Sequence, residues 1–322
     1  LKVIELFAGI GAPRMALKNL GIQHDVIGIS EIDKNAIKMY NMIHGETNNF
    51  GDISQIEKLP YCDFLHFSSP CQSFSQSGKK NGLEGSSGII VEVYRLMDNL
   101  YERKELPKAI SFENVPTLYT KFRDVFDDLI ERFKNWGYNV YYNTLSAQYF
   151  NNPTARSRLF IIGIRKDCDT GTFIMPQNTN LTKIRLKDYL VDNVDKKYYW
   201  PHEVIFHSLN DNEEKIDTTR KLGWLETACG HETQSNRVWS KEGFCPTITC
   251  YSQFLIREGS GVYRKLTEEE YWRIQGFSQN DFEKIQKDFS RSAIIKAVGN
   301  SIALGPLEAI YSNLFSSVPS LI

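Results

Sequence analysis

The stretch SSPCQSFSQSG, residues 68–78, sets one cysteine directly after a proline at the end of an apolar run. Three fates are open to the Cys71 thiol: packing, metal ligation or nucleophilic attack. Free cysteines are most often buried filler. The residues that follow, Gln72, Ser73, Ser75, Gln76, Ser77, Gly78, Lys79 and Lys80, are polar and unlike the wall of a core. A thiol at a strand end, near a helix N-terminus and cationic side chains, has its pKa lowered from about 8.5 toward neutrality, which favours the nucleophilic thiolate.

Other strand ends carry groups that such a thiol would need. FAGIGA, residues 7–12, combines glycines that let the backbone approach a ligand with the unpaired N–H groups of a helix start. Alone this is a weak signal. About 20 residues further on, GISEID presents Glu31, whose carboxylate can accept hydrogen bonds from a ribose diol. FGDIS then places Asp52 beside Ile53, a pairing suited to an exocyclic amine and an apolar ring face. Turn, acid and acid at successive strand ends point to an adenosine. The full GxGxxG pattern and the Walker lysine are absent, which favours a nucleoside without phosphates over a pyrophosphate. SFENVP ends another apolar run with Glu113 and Asn114. A carboxylate there caps a helix or, partly buried beside a ligand, has its pKa raised and can donate a proton to a ring nitrogen. PTARSRLF brings Arg156 and Arg158 to one face at period two, either as surface arginines or as a clamp on the acid or on phosphate oxygens.

The elements that must position these groups alternate. LKVIELF, HDVIGISE, CDFLHFSS and KAISFEN read as strands, and each is followed by a helical pattern, the last of them KFRDVFDDLIERFKNWG. Such alternation implies parallel strands joined by crossover helices, an open α/β sheet with ligands at the carboxyl ends of its strands. NVYYNTLSA and RLFIIGIR complete the region near Arg165. From about Asp167 the periodicity weakens and short aromatic pieces such as KKYYWPHEVIF appear, the texture of a second, irregular domain. Helical pattern returns at LTEEEYWRIQGF and AIIKAVGNSIALGPLEAIYSNLF, which can pack back onto the first domain.

With 322 residues, 41% hydrophobic and 24% charged, the chain can bury a sizeable core. A net charge of −1 means that a nucleic acid would have to meet a local basic surface, not a global field. The six cysteines form no CxxC pair and read as reduced thiols of a cytosolic protein. No apolar run approaches the ~20 residues of a membrane span, and LKVIELF opens the chain without the basic-then-apolar pattern of a secretion signal. Cys229, His231, Cys245 and Cys250 do not follow a usual zinc-ligand spacing, so no metal is expected.

In order along the chain, FAGIG, PCQSFSQSG, FENV, TARSR, RKLTEEEYWRIQGF and AVGNSI resemble the motifs of DNA cytosine-5 methyltransferases, and they cover nearly its whole length. The resemblance implies a Rossmann-like α/β methyltransferase domain, residues 1–177 plus 270–322, and a smaller irregular target-recognition domain, residues 178–269. It implies S-adenosylmethionine, leaving as S-adenosylhomocysteine, held by Phe7, Ala8, Gly9, Ile10, Gly11, Glu31, Ile32, Asp52, Ile53, Pro70, Ile90, Asn300 and Ser301. Cys71 would add to carbon 6 of a flipped-out cytosine, Glu113 would meet N3, and Arg156 and Arg158 would orient Glu113 and hold the base. Gln72, Ser75, Ser77, Lys79 and Lys80 would close on double-stranded DNA, with Arg237, Thr247, Tyr251 and Gln253 as candidates for groove contacts. The pattern departs from the family at Thr154, where a glutamine is usual, at Ala12, where a second glycine is usual, and in GSSGII, which lacks an arginine.

The expected protein is a monomeric cytoplasmic enzyme of bacterial or phage type, without membrane contact, which a cognate restriction endonuclease can accompany without touching it. Two other readings compete. An RNA methyltransferase can use the same catalytic domain, but the Cys-Phe-Thr signature of the transfer-RNA branch is absent. A catalytically silent DNA-binding homologue would not need Cys71, Glu113 and Arg156.

Overall fold

The computed structural model describes residues 1–69, 89–201, 203–209 and 217–321. The chain forms two compact units: Leu1–Leu145 with Ser157–Gln177 and Pro306–Ile322, and Ser146–Arg156 with Asn178–Gly305.

In the first unit, β1 (Lys2–Leu6), α1 (Ala12–Asn19), β2 (Asp25–Ser30), α2 (Lys34–His44), β3 (Phe64–Phe67), α3 (Ile90–Glu102) and β4 (Ala109–Asn114) alternate as the sequence implies. Two helices follow, α4 (Thr117–Lys121) and α5 (Arg123–Asn135), and then β5 (Tyr138–Ser146) and β6 (Ser157–Arg165). The sheet order is β2-β1-β3-β4-β6-β5. β1 runs parallel to β2 and β3, and β3 parallel to β4. β6, for which the sequence reading gives no direction, runs antiparallel to β4. The physical reason is connection length. A parallel return needs a crossover of a dozen or more residues, and the link between β5 and β6 is shorter than that. The carboxyl ends of β1 to β4 and the amino end of β6 therefore share one edge. Helix and sheet are joined by a core in which Leu65, Phe67, Ile110, Phe112, Leu129 and Phe133 are fully buried.

The second unit is less irregular than its sequence texture suggests. β7 (Phe206–Ser208), β8 (Lys221–Leu225), β9 (Arg237–Trp239), β10 (Leu255–Gly259) and β11 (Val262–Lys265) form one mixed sheet in the order β11-β10-β9-β8-β7. Leu222, Leu225, Val238, Leu255 and Tyr263 make its small core. The helices α6 (Glu268–Ile274), α7 (Gln279–Ile285) and α8 (Arg291–Asn300) follow, and α9 (Leu304–Ser317) crosses into the first unit.

Residues 270–305 thus group with the second unit, whereas the sequence reading assigns 270–322 to the catalytic domain. An ion pair explains the difference. Arg264, fully buried on β11, donates from both terminal nitrogens to the Glu270 carboxylate at 2.8 and 2.7 Å, which ties α6 to the sheet. Asn152 Nδ2 donates to Ile274 O at 3.2 Å and Gln275 Nε2 to Val298 O at 3.1 Å, extending the same fastening to α8. Only from Pro306 onward does the chain belong to the first unit, where the Tyr311 ring meets Phe64 at 5.3 Å. The apolar stretch Arg291–Ser317 has the length and composition of a membrane span, with mean hydropathy 1.3, but it is two helices and its apolar window is 61% buried.

One buried acid underlies the turn after β1. Glu5 is fully buried and accepts from Tyr40 Oη at 2.6 Å and from the Arg14 backbone N–H at 2.9 Å. Burial outweighs these hydrogen bonds and pushes its carboxyl up from the ordinary 4.5 to about 7. The folded state then holds a proton that the unfolded chain has released, so this group's contribution to stability falls as pH rises from 4.5 to about 7. We predict that Glu5→Gln gains stability relative to wild type across that window, measured as the difference between urea-unfolding free energies at several pH values. Parallel pH curves for the two proteins would contradict it.

Candidate active site

The turn after β1 departs sharply from regular structure. Phe7, Gly9 and Gly11 all have positive φ, at 57°, 55° and 80°. A side chain rarely adopts this region, and such strain persists only where the surroundings over-determine it. Here Ala8 N–H donates to Ser30 O at 3.1 Å and Gly9 N–H to Glu31 Oε2 at 2.8 Å, so β2 holds the turn open. Gly11 has no alternative side chain, because a Cβ there would lie 2.5 Å from His44 Nε2.

Glu31 acts first on this chain's own backbone. Its Oε1 accepts from Ile32 and Asp33 N–H at 2.8 and 2.9 Å, while Oε2 accepts only Gly9 N–H among the described bonds and retains lone-pair capacity for a ligand. Asn49, which sequence reasoning passed over, fixes this residue from the other side. Its side chain accepts from Glu31 N–H at 3.2 Å and donates to Glu31 O at 3.0 Å. No sequence signal distinguishes such an asparagine from a solvated loop residue.

Asp52 does not end a strand, as expected from the sequence. It caps the short 3-10 turn Ile53–Gln55, where its Oδ1 accepts from Ser54 N–H and Oγ, both at 2.9 Å. Those two bonds hold its carboxyl below the ordinary value, and the side chain is exposed. Ile53 and Ile90 are packed into the core of the first unit, whereas Ile32 stands 67% exposed beside Glu31. A carboxylate with acceptor capacity, an exposed apolar side chain and a strained turn at a helix start are groups that fit a nucleoside such as that of S-adenosylmethionine. Asn300, at the end of α8, is exposed, and the neighbouring Ser301 is buried.

At the far end of β4, Glu113 is 7% exposed and pairs with Arg158, whose Nε lies 3.0 Å from Oε1. The antiparallel register explains the meeting: Glu113 opposes Phe160, so Arg158, two residues before Phe160, shares its face. A buried pair of this kind is costly to break; removal of one partner costs about 3–5 kcal/mol. Asn114 turns the other way. Its Nδ2 donates to Ser69 O and Oγ at 3.2 and 3.3 Å, and its Oδ1 accepts from Val115 N–H, so it fastens the chain two residues before Cys71. Pro70, Cys71, Gln72, Ser75, Ser77, Lys79 and Lys80 lie outside the described residues.

Arg156 goes elsewhere. Its guanidinium donates to the backbone carbonyls of Ile248, Gly299 and Ser301 within the second unit, at 2.6, 3.1 and 2.6 Å. Of the two arginines expected to act together, Arg158 pairs with the Glu113 carboxylate among the described residues. Among the groove candidates, Tyr251 is 85% exposed and Gln253 is exposed. Thr247 Oγ1 instead donates to Ala155 O at 2.7 Å. Arg237 donates to Glu232 at 2.6 Å, a carboxylate that Lys221 also holds and keeps below the ordinary range. Cys245, one of the cysteines weighed as zinc ligands, is fully buried beside the Thr154 bridge.

Comparison with known proteins agrees with this frame. Residues 1–316 match the family model described as C-5 cytosine-specific DNA methylase. The orphan methyltransferase M.SPRI of Bacillus phage SPR is 34% identical, over 98% of this chain and 97% of its own length. M.Rho11sI of Bacillus phage rho11s is 32% identical over 78% of this chain, and the chain spans 58% of that relative. Among solved structures, the S. pombe Dnmt2 methyltransferase superposes with a TM-score of 0.68 over 98% of both chains; at 19% identity this likeness concerns the fold. With a family match that begins at the first residue and takes in both units, the chain belongs to the C-5 cytosine-specific DNA methylase family and is a DNA cytosine-5 methyltransferase.

Proposed function

We propose that the protein methylates carbon 5 of a cytosine flipped out of duplex DNA, at one short recognition sequence, with S-adenosylmethionine as donor and Cys71 as covalent nucleophile. The observation that carries this reading is the end of β4. Glu113, held by Arg158 at 3.0 Å, is adjacent in sequence to Asn114, which fastens Ser69 just before Cys71. In this reading two consecutive residues would present an acid to the base and fasten Ser69, two residues before the nucleophile.

Phe7 to Gly11, Glu31, Ile32 and Asp52, all of the first unit, would hold the cofactor. When bound, S-adenosylmethionine supplies a methyl group as an electrophilic sulfonium substituent. Carbon 5 of cytosine is a poor nucleophile inside an aromatic ring. Attack of the Cys71 thiolate on carbon 6 moves the electron pair of the 5,6 double bond toward carbon 5 and N3, and Glu113 meets the base at N3. After methylation, loss of the carbon 5 proton and departure of Cys71 restore the double bond. Arg158 keeps the Glu113 carboxyl group in place, while the exposed Tyr251 and Gln253 are available to base edges.

Cys71→Ser tests the nucleophile. Methyl transfer to duplex DNA is expected to vanish while S-adenosylhomocysteine binding by calorimetry stays within about twofold; retained transfer would sink the covalent reading. Glu113→Gln is expected to lower turnover about 100- to 10,000-fold, the range of a lost acid–base group, again with cofactor affinity preserved. Turnover within tenfold of wild type would remove Glu113 from the chemistry. Structured RNA offered in the same assay distinguishes the two nucleic acids: transfer to RNA alone would contradict the DNA reading.

A further inference from the structure

β1, β3 and β4 lie side by side in parallel register, with Glu5 opposite His66 and His66 opposite Ser111. Residues in register share a face of the pleated sheet, so these three polar side chains form one row across the strands. Each is buried, Glu5 and Ser111 fully and His66 at 2% exposure. Such a row is costly unless its hydrogen bonds are made. Two residues beyond its members the chain reaches Phe7 of the strained turn, Ser68 and Glu113.

His66 is the hub of the row. Its Nδ1 lies 3.2 Å from Ser111 Oγ and 3.1 Å from the hydroxyl of Tyr311, a fully buried residue on α9. Its Nε2 lies 3.2 Å from Ser68 Oγ. Burial pushes the imidazole pKa down from 6.5 to about 3, so the ring is neutral, with one nitrogen that donates and one that accepts. Hydroxyl partners suit either tautomer, because each can donate or accept. One ring thus joins the end of β3 to β4 and to α9, all within the first unit. An apolar side chain would suit this core position at a lower desolvation cost; what the imidazole adds is a directional hold on Ser68. The next residue, Ser69, is held by Asn114 through its carbonyl and hydroxyl. Both residues between the end of β3 and Pro70 are thereby fixed by side chains of the sheet.

We propose that His66 is a positioning residue for methyl transfer: backed by Ser111 of β4 and Tyr311 of α9, its hold on Ser68 sets where the chain departs toward Cys71. This rests on the functional reading above, in which Cys71 attacks the base, and adds that the C-terminal helix α9 supports the approach to the nucleophile. In this role His66 acts through Ser68 and touches neither cofactor nor base.

The test compares steady-state kinetics of His66→Leu, Ser68→Ala and Tyr311→Phe on a duplex oligonucleotide carrying a mapped methylation site. His66→Leu and Ser68→Ala are expected to lower kcat about 10- to 100-fold, the scale of a reacting group misplaced by about an ångström, while KM for S-adenosylmethionine and for DNA stays within about twofold. Tyr311→Phe, in which Ser111 still serves Nδ1, is expected to lower kcat at least about threefold with the same unchanged KM values. A structural role alone would lower the urea midpoint and leave kcat of the folded protein unmoved. A kcat within about twofold of wild type in Ser68→Ala or in Tyr311→Phe overturns the proposal, whatever His66→Leu does to folding. Transfer retained in Cys71→Ser contradicts the functional reading itself; transfer lost there but unchanged in Ser68→Ala sinks only the role of His66.

Discussion

A carboxylate buried at the end of a strand needs a partner, and the pair Glu113–Arg158 sets the terms for much of the first unit. Desolvating two charges costs several kcal/mol for each, a cost offset only when hydrogen-bond geometry is good. The geometry here comes from β6 running against β4, which brings the start of one strand beside the end of the other. An all-parallel sheet would have placed the Arg158 end of β6 at the opposite edge. The reversal of the last strands therefore positions a cation beside the buried Glu113 carboxylate.

The same edge of the sheet carries the strained turn of residues 7–11, and its conformation depends on groups behind it. Glu31 and Asn49 brace the turn from β2, and the buried Glu5 with Tyr40 supports the start of α1 from beneath. Glu31, Asn49 and Glu5 each accept from a backbone N–H, which helps maintain a turn with three positive φ angles. A ligand that approaches this backbone meets groups already oriented, so little ordering entropy remains to be lost on binding.

Much of this was legible in the sequence, and the exceptions share a cause. Strands and helices of the first unit follow from period and punctuation, and the family follows from motifs in their order. Strand direction does not follow from period two, so the antiparallel course of β6 leaves no mark on RLFIIGIR. The sheet of the second unit escaped notice because β7 and β9 have three residues each, too few for alternation to register. Arg156 and Arg158 look equivalent in TARSR; spacing tells which face a side chain takes, but not that one arginine will find a carboxylate and the other three carbonyls. Carbonyl acceptors exist at every residue and leave no mark on a sequence. Asp52, likewise, was recognisable as an acid near a turn, while its capping of a 3-10 turn depends on local backbone geometry.

The central claim is that this arrangement of strand ends methylates carbon 5 of cytosine in duplex DNA at a defined sequence. Bisulfite sequencing of unmethylated duplex DNA, after incubation with the protein and S-adenosylmethionine, measures it most directly. The account predicts protection from deamination at one cytosine within a single recurring sequence, and none when S-adenosylmethionine is omitted. Complete conversion of every cytosine by an intact, folded protein would contradict it.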